Sequence, residues 1–177
     1  MGAFNRWGLG TKLAVVATPL LAVAMALIAL TLWLSWQLDG GAAAVNEAGR
    51  MRMQSFRLSL VIATRSDEQV ARHVADFELS LQRLRDGDPE RPLFVPWSTP
   101  VRERFSAVEG AWNRYRSDWI EADRTGDLTR LPPATASFAG TIDAFVLAIE
   151  ARLSHWTAVM HIVQTVMFAL AVLGAAA

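Results

Sequence analysis

Three arginines stand within eight positions of the segment 45–57, where they could bind an anion. Arg50, Arg52 and Arg57 have one carboxylate close to them in sequence, that of Glu47, and a long apolar run ends shortly before them. The guanidinium group of arginine is planar, and its donors match the paired oxygens of a small oxyanion. The segment therefore predicts an anion site just outside a membrane.

The spacing around Arg52 predicts a packed helix. Steps of three and four, as on the packed face of a helix, separate Val45, Ala48, Arg52, Ser55, Ser59 and Ile62. Arg52 would then occupy a packing position, where an unpaired charge is costly, and Gly49 would leave a small gap beside it. Two such helices meeting across a two-fold axis would place two Arg52 side chains opposite each other until an anion came between them.

Other roles for these arginines stay open at this point. Arg52 could be a surface residue whose stem packs and whose charged head reaches water. Arg50 and Arg57 are either solvated surface charges or assistants of the site. The candidate ligand-binding residues are Arg52, Gly49, Arg57, Arg50 and Ser55.

The segment also resembles a known signature. Asn46-x-Ala48-Gly49-x-x-Arg52-Met53-Gln54-Ser55-Phe56-Arg57, placed after an apolar run, is similar to the motif of nitrate/nitrite sensor histidine kinases of the NarX/NarQ kind. The same sensor module stands at the front of type IV pilus methyl-accepting transducers. The resemblance implies that Arg52 binds nitrate or nitrite at a homodimer interface, that Gly49 lies beside the anion, and that Arg57 belongs to the same motif. The chain departs from the family pattern at Glu47 and Arg50, which leaves the identity of the anion open.

Composition narrows the class of protein. The 177 residues are 53% hydrophobic, carry 17 basic and 17 acidic side chains, and contain no cysteine. Disulfides, thiolate metal sites and thiol catalysis are therefore excluded, and the charge balance gives no sign of a nucleic-acid partner. The three histidines lack metal-ligand spacing, and the sequence has no catalytic motif. We expect no metal, no cofactor and no catalytic residue in this chain.

Two charge-free stretches predict membrane spans and thereby a domain layout. Residues 13–38 and 156–177 contain no Asp, Glu, Lys or Arg, and each is long enough to cross a bilayer. Residues 1–12 carry basic residues and no acid, which predicts a cytoplasmic N-terminus and a periplasmic domain over residues 39–155. The predicted location is the bacterial inner membrane, with lipid as a partner. The absence of basic residues after the second span predicts that the chain is truncated there.

Apolar periodicity in the central region predicts helices. A capping box at Ser66 begins one helix, and Thr99 with Pro100 begins the next. The predicted fold is all-α, an antiparallel four-helix-bundle periplasmic sensor domain flanked by two transmembrane helices. The predicted apolar faces are Val70, Val74, Phe77, Leu81 and Leu84, then Val101, Phe105, Val108, Trp112, Tyr115 and Trp119, then Phe138, Ile142, Phe145, Ile149 and Leu153.

The function that these observations and the resemblance imply is transmembrane sensing of nitrate or nitrite. The sensor would relay its signal to a cytoplasmic histidine kinase of a two-component system, whose partner is a response regulator. Two alternatives remain, the ligand-sensing part of a methyl-accepting chemotaxis-type transducer and a membrane-anchored bundle that binds a protein. In the sensor interpretation, the anion would favour one of two packings of the first helix, which continues from the site into the membrane.

Overall fold

The chain folds into α-helices. A computed structural model describes residues 8–88, 90–121 and 128–176. A π-helical turn, Ser117–Glu121, follows the third α-helix, and a 3-10 turn, Leu128–Arg130, precedes the fourth. The part of the chain that is described contains no β-strand, so the predicted all-α class is confirmed. The α-helices are α1 (Leu9–Ala63), α2 (Asp67–Asp86), α3 (Thr99–Arg116) and α4 (Leu131–Ala176).

The chain divides into two compact units, one ending at Trp36 and the other beginning at Gln37. In the first unit, apolar side chains of α1 such as Leu21 and Leu32 are exposed. Within the described ranges, two helices are long and apolar enough to cross a membrane, Ala17–Ala63 and Leu128–Ala169. They contain most of the charge-free stretches that the sequence indicates.

The second unit has a core to which all four helices contribute. In its centre, Phe77 of α2 stacks on Trp112 of α3 with ring centroids 4.3 Å apart, and Phe138 of α4 stacks on Tyr115 at 5.1 Å. Such aromatic pairs add about 0.5–1.5 kcal/mol to the stabilisation from burial alone. The predicted apolar faces of α2, α3 and α4 are confirmed, with Val74, Trp119 and Leu153 partly buried at the edges of the core.

The packed face of α1 differs from the prediction. The residues it buries are Ala44, Ala48, Met51, Ser55, Leu58 and Ile62. Ala48, Ser55 and Ile62 are buried as the predicted seam requires, but Met51 takes the packing position that the sequence spacing assigned to Arg52. The physical reason is the cost of desolvating a guanidinium, which a small rotation of the helix towards Met51 avoids. Arg52 lies beside the packed face and is exposed.

The helix starts are close to those predicted, but their capping is different. Ser66 is the N-cap of α2, as predicted, although its side chain makes no capping hydrogen bond. The N-cap of α3 is Ser98, one residue before the predicted Thr99. Between α2 and α3, the described residues 87–88 and 90–98 are non-helical and begin with Gly87, whose positive φ of 86° suits glycine. We call residues 87–88 and 90–98 the α2–α3 segment.

Candidate functional site

The guanidinium of Arg52 pairs with a carboxylate of α4. Its Nη1 atom donates to Oδ1 of Asp143 at 2.9 Å, and the two side chains are 52% and 44% exposed. An ion pair in contact with water contributes only about 0–1 kcal/mol, because water and salt compete for both charges. Arg52 can therefore exchange Asp143 for another anion at little cost.

Gly49 lies on the same side of α1 as Arg52, one turn earlier. A Cβ atom built on Gly49 would meet nothing within 4 Å, so the packing of this chain does not require glycine there. Glycine inside a helix costs about 1 kcal/mol relative to alanine. The predicted gap beside Arg52 is present as an open space on the surface of α1.

Arg50 is occupied by a carboxylate whose burial the sequence did not indicate. Its Nη2 atom donates to Oε1 of Glu47 at 2.5 Å, and Glu47 is only 1% exposed. The other carboxylate oxygen, Oε2, accepts a hydrogen bond from Nη2 of Arg91 at 2.6 Å. Arg50 and Arg91 thus hold one buried carboxylate between them, and Arg50 is less available to an outside anion than Arg52.

The surroundings of Glu47 keep it ionised. Burial raises the pKa of Glu47, but the hydroxyl of Ser80 and the guanidinium groups of Arg91 and Arg50 lower it further, so the pKa lies below its ordinary value of 4.5. The buried Ser80 hydroxyl lies against the carboxylate without a hydrogen bond of standard geometry. Because a buried charge requires such partners, Glu47 fixes the positions of the residues around it.

The remaining two candidate residues lie in different surroundings from the Arg52 side chain. Arg57 is exposed and has no ion pair within the described ranges. Ser55 is fully buried, and its hydroxyl donates to the backbone oxygen of Arg52 at 2.7 Å. Within a single chain, the structure brings together Gly49 and Arg52, turns Arg50 towards Glu47, and points Ser55 into the core.

The face of α1 opposite its packed face carries a second apolar stripe. Its apolar side chains, Met53, Phe56 and Leu60, are each about half exposed or more, at 56%, 49% and 66%. We define the outer stripe of α1 as Ala42, Asn46, Gly49, Met53, Phe56, Leu60 and Ala63, which follow one another in steps of four and three. A regular exposed stripe of this kind is typical of a helix that packs on another helix.

Two glycines that sequence reasoning missed allow close contacts to α1. A Cβ atom at Gly40 would overlap the ring of Phe94, and one at Gly41 would overlap the side chain of Leu153. The adjacent glycines inside a long helix were the available signal, because each lowers helix stability and needs a packing reason. They place the α2–α3 segment and α4 directly against α1.

Comparison with known proteins identifies the family. The model of the N-terminal region of type IV pili methyl-accepting chemotaxis transducers, PilJ, matches residues 33–136, more than half of the chain. No curated protein matches the chain significantly. The part of the chain that is described has no group of three or more histidine, aspartate or glutamate side chains that could hold a metal ion. The match includes the whole arginine segment, and the chain belongs to the family of PilJ N-terminal regions of type IV pilus methyl-accepting chemotaxis transducers.

Proposed function

We propose that this chain is the membrane-anchored sensory region of a methyl-accepting chemotaxis-type transducer and that its arginine segment binds a small anion. The family match over residues 33–136 is the observation that carries the proposal, because it includes Arg52 and Gly49. The match favours the transducer alternative over the histidine kinase that the sequence resemblance first suggested. The anion is proposed from the site itself, where an exposed guanidinium lies beside an open gap.

The proposed topology has residues 13–38 and 156–177 crossing the bacterial inner membrane and residues 39–155 forming a periplasmic four-helix bundle. The two long apolar helices support the spans. The contacts of Gly41 with Leu153 and of Arg52 with Asp143 support an antiparallel arrangement of α1 and α4, since position rises along one helix and falls along the other. The three residues between α1 and α2 suit antiparallel neighbours.

The proposed active form is a homodimer that packs through the outer stripe of α1. If two copies form a parallel coiled coil, the outer stripe occupies the central positions of the heptad. Arg52 and Arg57 then lie on opposite flanks of the stripe, five residues apart. In such a coiled coil, this spacing places Arg52 opposite Arg57 of the partner subunit.

An anion could bridge the two facing arginines. Like charges repel across an interface, and an anion with several oxygens can accept hydrogen bonds from both guanidinium groups. Gly49 lies in the stripe one turn away and leaves room beside the bridge. Binding would draw Arg52 away from Asp143 and favour the dimer packing in which the two arginines approach each other. Nitrate and nitrite are the first anions to test.

Thermal unfolding of the full chain in detergent tests the anion site. A ligand that binds only the folded state raises the midpoint by mass action, so nitrate should raise it above a chloride control of equal ionic strength. Arg52→Ala and Arg57→Ala should each abolish the nitrate-specific rise. Arg72→Ala is the control, because Arg72 forms a pair with Glu68 on α2 that is even more exposed than the Arg52 pair. A nitrate-specific rise in the midpoint that persists in Arg52→Ala would exclude this site. No rise with nitrate or nitrite would also exclude it and would favour a protein-binding bundle.

The dimer is tested separately through its interface. The chain has no cysteine, so a single Phe56→Cys substitution reports one position. Phe56→Cys should form a disulfide between two copies under mild oxidation, and Leu147→Cys, which is exposed on α4, should not. Equal cross-linking at the two positions would contradict an interface through α1.

A further inference from the structure

The α2–α3 segment contacts α1 at two points two helical turns apart. At the first, Arg91 of the segment pairs with Glu47 of α1. At the second, the backbone N–H of Phe94 donates to the backbone oxygen of Gly40 at 3.4 Å. A helix rises about 1.5 Å per residue, so the two points lie roughly 10 Å apart along α1. Two separated contacts restrict both sliding and rotation of the helix, which one contact cannot do.

The Glu47 contact resists displacement because of its burial. Glu47 is 1% exposed and accepts hydrogen bonds from Arg91 at 2.6 Å and Arg50 at 2.5 Å. If α1 moved away from Arg91, the carboxylate would keep only Arg50 while still buried. Removal of one partner from a buried charge pair is strongly unfavourable.

The Gly40 contact resists displacement because of its shape. The ring of Phe94 lies against the backbone of α1 where only a hydrogen stands in place of a side chain. Asp39 and Gly41 flank this position. A shift of α1 by one residue would bring Asp39 against the ring in one direction. In the other direction it would bring Ala42 to the place of Gly41, where a Cβ atom overlaps the side chain of Leu153.

The segment is itself anchored to the end of α2. Asp88 accepts a hydrogen bond from Nε of Arg91 at 3.0 Å and one from the backbone N–H of Glu90 at 3.0 Å. Arg83 of α2 approaches the same carboxylate at 3.6 Å. Asp88 thereby orients Arg91 towards Glu47 and joins the segment to α2.

We infer that the α2–α3 segment is a latch that holds α1 at one position along its axis, with Glu47–Arg91 and Gly40–Phe94 as its two contacts. The regulatory part of this inference rests on the proposed function, in which α1 carries the signal. Helix shifts of about 1–2 Å, and displacements by one turn of about 5.4 Å, transmit signals in other proteins, and a shift of either size would separate the Glu47 oxygens from Arg91. Any displacement of α1 along its axis must therefore open the latch. Arg50 connects the latch to the anion segment, since it shares the Glu47 carboxylate.

Disulfide trapping in the full cysteine-free chain tests the latch without any anion. Replacement of Gly40 and Phe94 by cysteine removes the ring contact and leaves Glu47–Arg91 to hold positions 40 and 94 together. The G40C/F94C pair should oxidise rapidly, and Glu47→Gln should slow its oxidation several-fold. Arg85→Gln is the matched control, because Arg85 pairs with Glu109 of α3 and not with α1, and it should leave the rate unchanged.

Two further cysteine pairs distinguish a displaced helix from a damaged fold. G41C/L153C reports the observed position of α1 against α4, and G41C/T157C reports a position displaced by one turn. If the latch holds α1, Glu47→Gln should lower the disulfide yield of G41C/L153C and raise that of G41C/T157C. An unchanged G40C/F94C rate, or an equal loss in every pair, would overturn the inference. Because no ligand is added, this result is independent of whether the chain binds nitrate.

Discussion

Two arginine–carboxylate contacts of α1, five residues apart in sequence, differ in what surrounds them. Arg52 and Asp143 meet at the surface, with side chains about half exposed. Glu47 meets Arg91 and Arg50 with its own carboxylate almost completely buried. The distances between the charged atoms are similar, at 2.9 Å for the first contact and 2.6 and 2.5 Å for the second.

The comparison shows that burial, and not distance, divides the two contacts into different roles. Water and salt compete with the Arg52 pair, so an external anion can replace Asp143. Water cannot compensate the buried carboxylate, so Glu47 needs its arginines whatever the ligand does. In the proposed function, the exposed pair would exchange its carboxylate for a ligand, and in the latch that we infer the buried pair would hold α1 in place.

The largest expected effect is that of removing the buried carboxylate. Glu47→Ala should lower the free energy of unfolding by about 2–3 kcal/mol, because the charged hydrogen bonds from Arg91 and Arg50 are lost and a cavity forms beside Ser80. Asp143→Ala should lower it by less than about 1 kcal/mol. Denaturant unfolding of the full chain in detergent measures both variants. Equal losses would show that burial does not separate the two pairs.

Two glycines of α1 also differ in what surrounds them: Gly40 is packed against Phe94, and Gly49 faces open space. Gly40→Ala should destabilise by about 1–3 kcal/mol, since the new methyl group overlaps the Phe94 ring. Gly49→Ala should leave stability unchanged or raise it by up to about 1 kcal/mol, because its Cβ enters open space and helix propensity improves. The difference in thermal midpoint between the two variants measures the effect. A fall of the same size in both would contradict the assigned environments.

The buried pair should also make stability depend on pH. The pKa of Glu47 is lower in the folded protein than its ordinary value of 4.5, so its contribution is complete above that value. The contribution should be lost as the pH falls below about 4.5 and through the folded pKa. Unfolding midpoints between pH 3 and pH 7 measure this dependence. Glu47→Gln should reduce the slope of the midpoint against pH in the acid range. An unchanged slope would show that other carboxylates cause the pH dependence.

The smallest effect on stability is expected for Arg52→Ala, at about 0–1 kcal/mol. At an ionic strength of about 1 M, where screening acts within roughly 3 Å, this difference should disappear. The effect of Glu47→Ala should persist, because the carboxylate of Glu47 is shielded from the solvent. Unfolding at low and high salt measures both. Salt sensitivity of the Glu47 variant equal to that of Arg52→Ala would contradict the distinction.

The sequence predicted α2, α3 and α4 well, because each has one apolar face. The aromatic series from Phe105 to Trp112 leaves a single way to bury the helix, and the structure follows it. Helix α1 carries two apolar stripes, one with Met51 and Leu58 and one with Met53 and Leu60. Periodicity found Ala48, Ser55 and Ile62 of the packed face, but it could not decide between neighbouring positions of the helix, so it placed Arg52 where Met51 is buried.

The candidate site was predictable in its location but not in its pairing. Three arginines after an apolar run marked the segment, and Gly49 marked the gap. Glu47 was visible as a nearby carboxylate, whereas its partner Arg91 lies 44 residues away. No local pattern indicates such a distant contact, because it depends on where the α2–α3 segment crosses α1.

The sequence by itself determined the helices, the charge-free stretches that could span a membrane, and the arginine segment between them. These features follow from local periodicity, chain length and composition, which act over a few residues at a time. Only the tertiary structure decided that Arg52 stays exposed beside Asp143 and that Glu47 is buried under Arg91. The reason is desolvation: its cost depends on every element packed around a charge, and those elements come from distant parts of the chain.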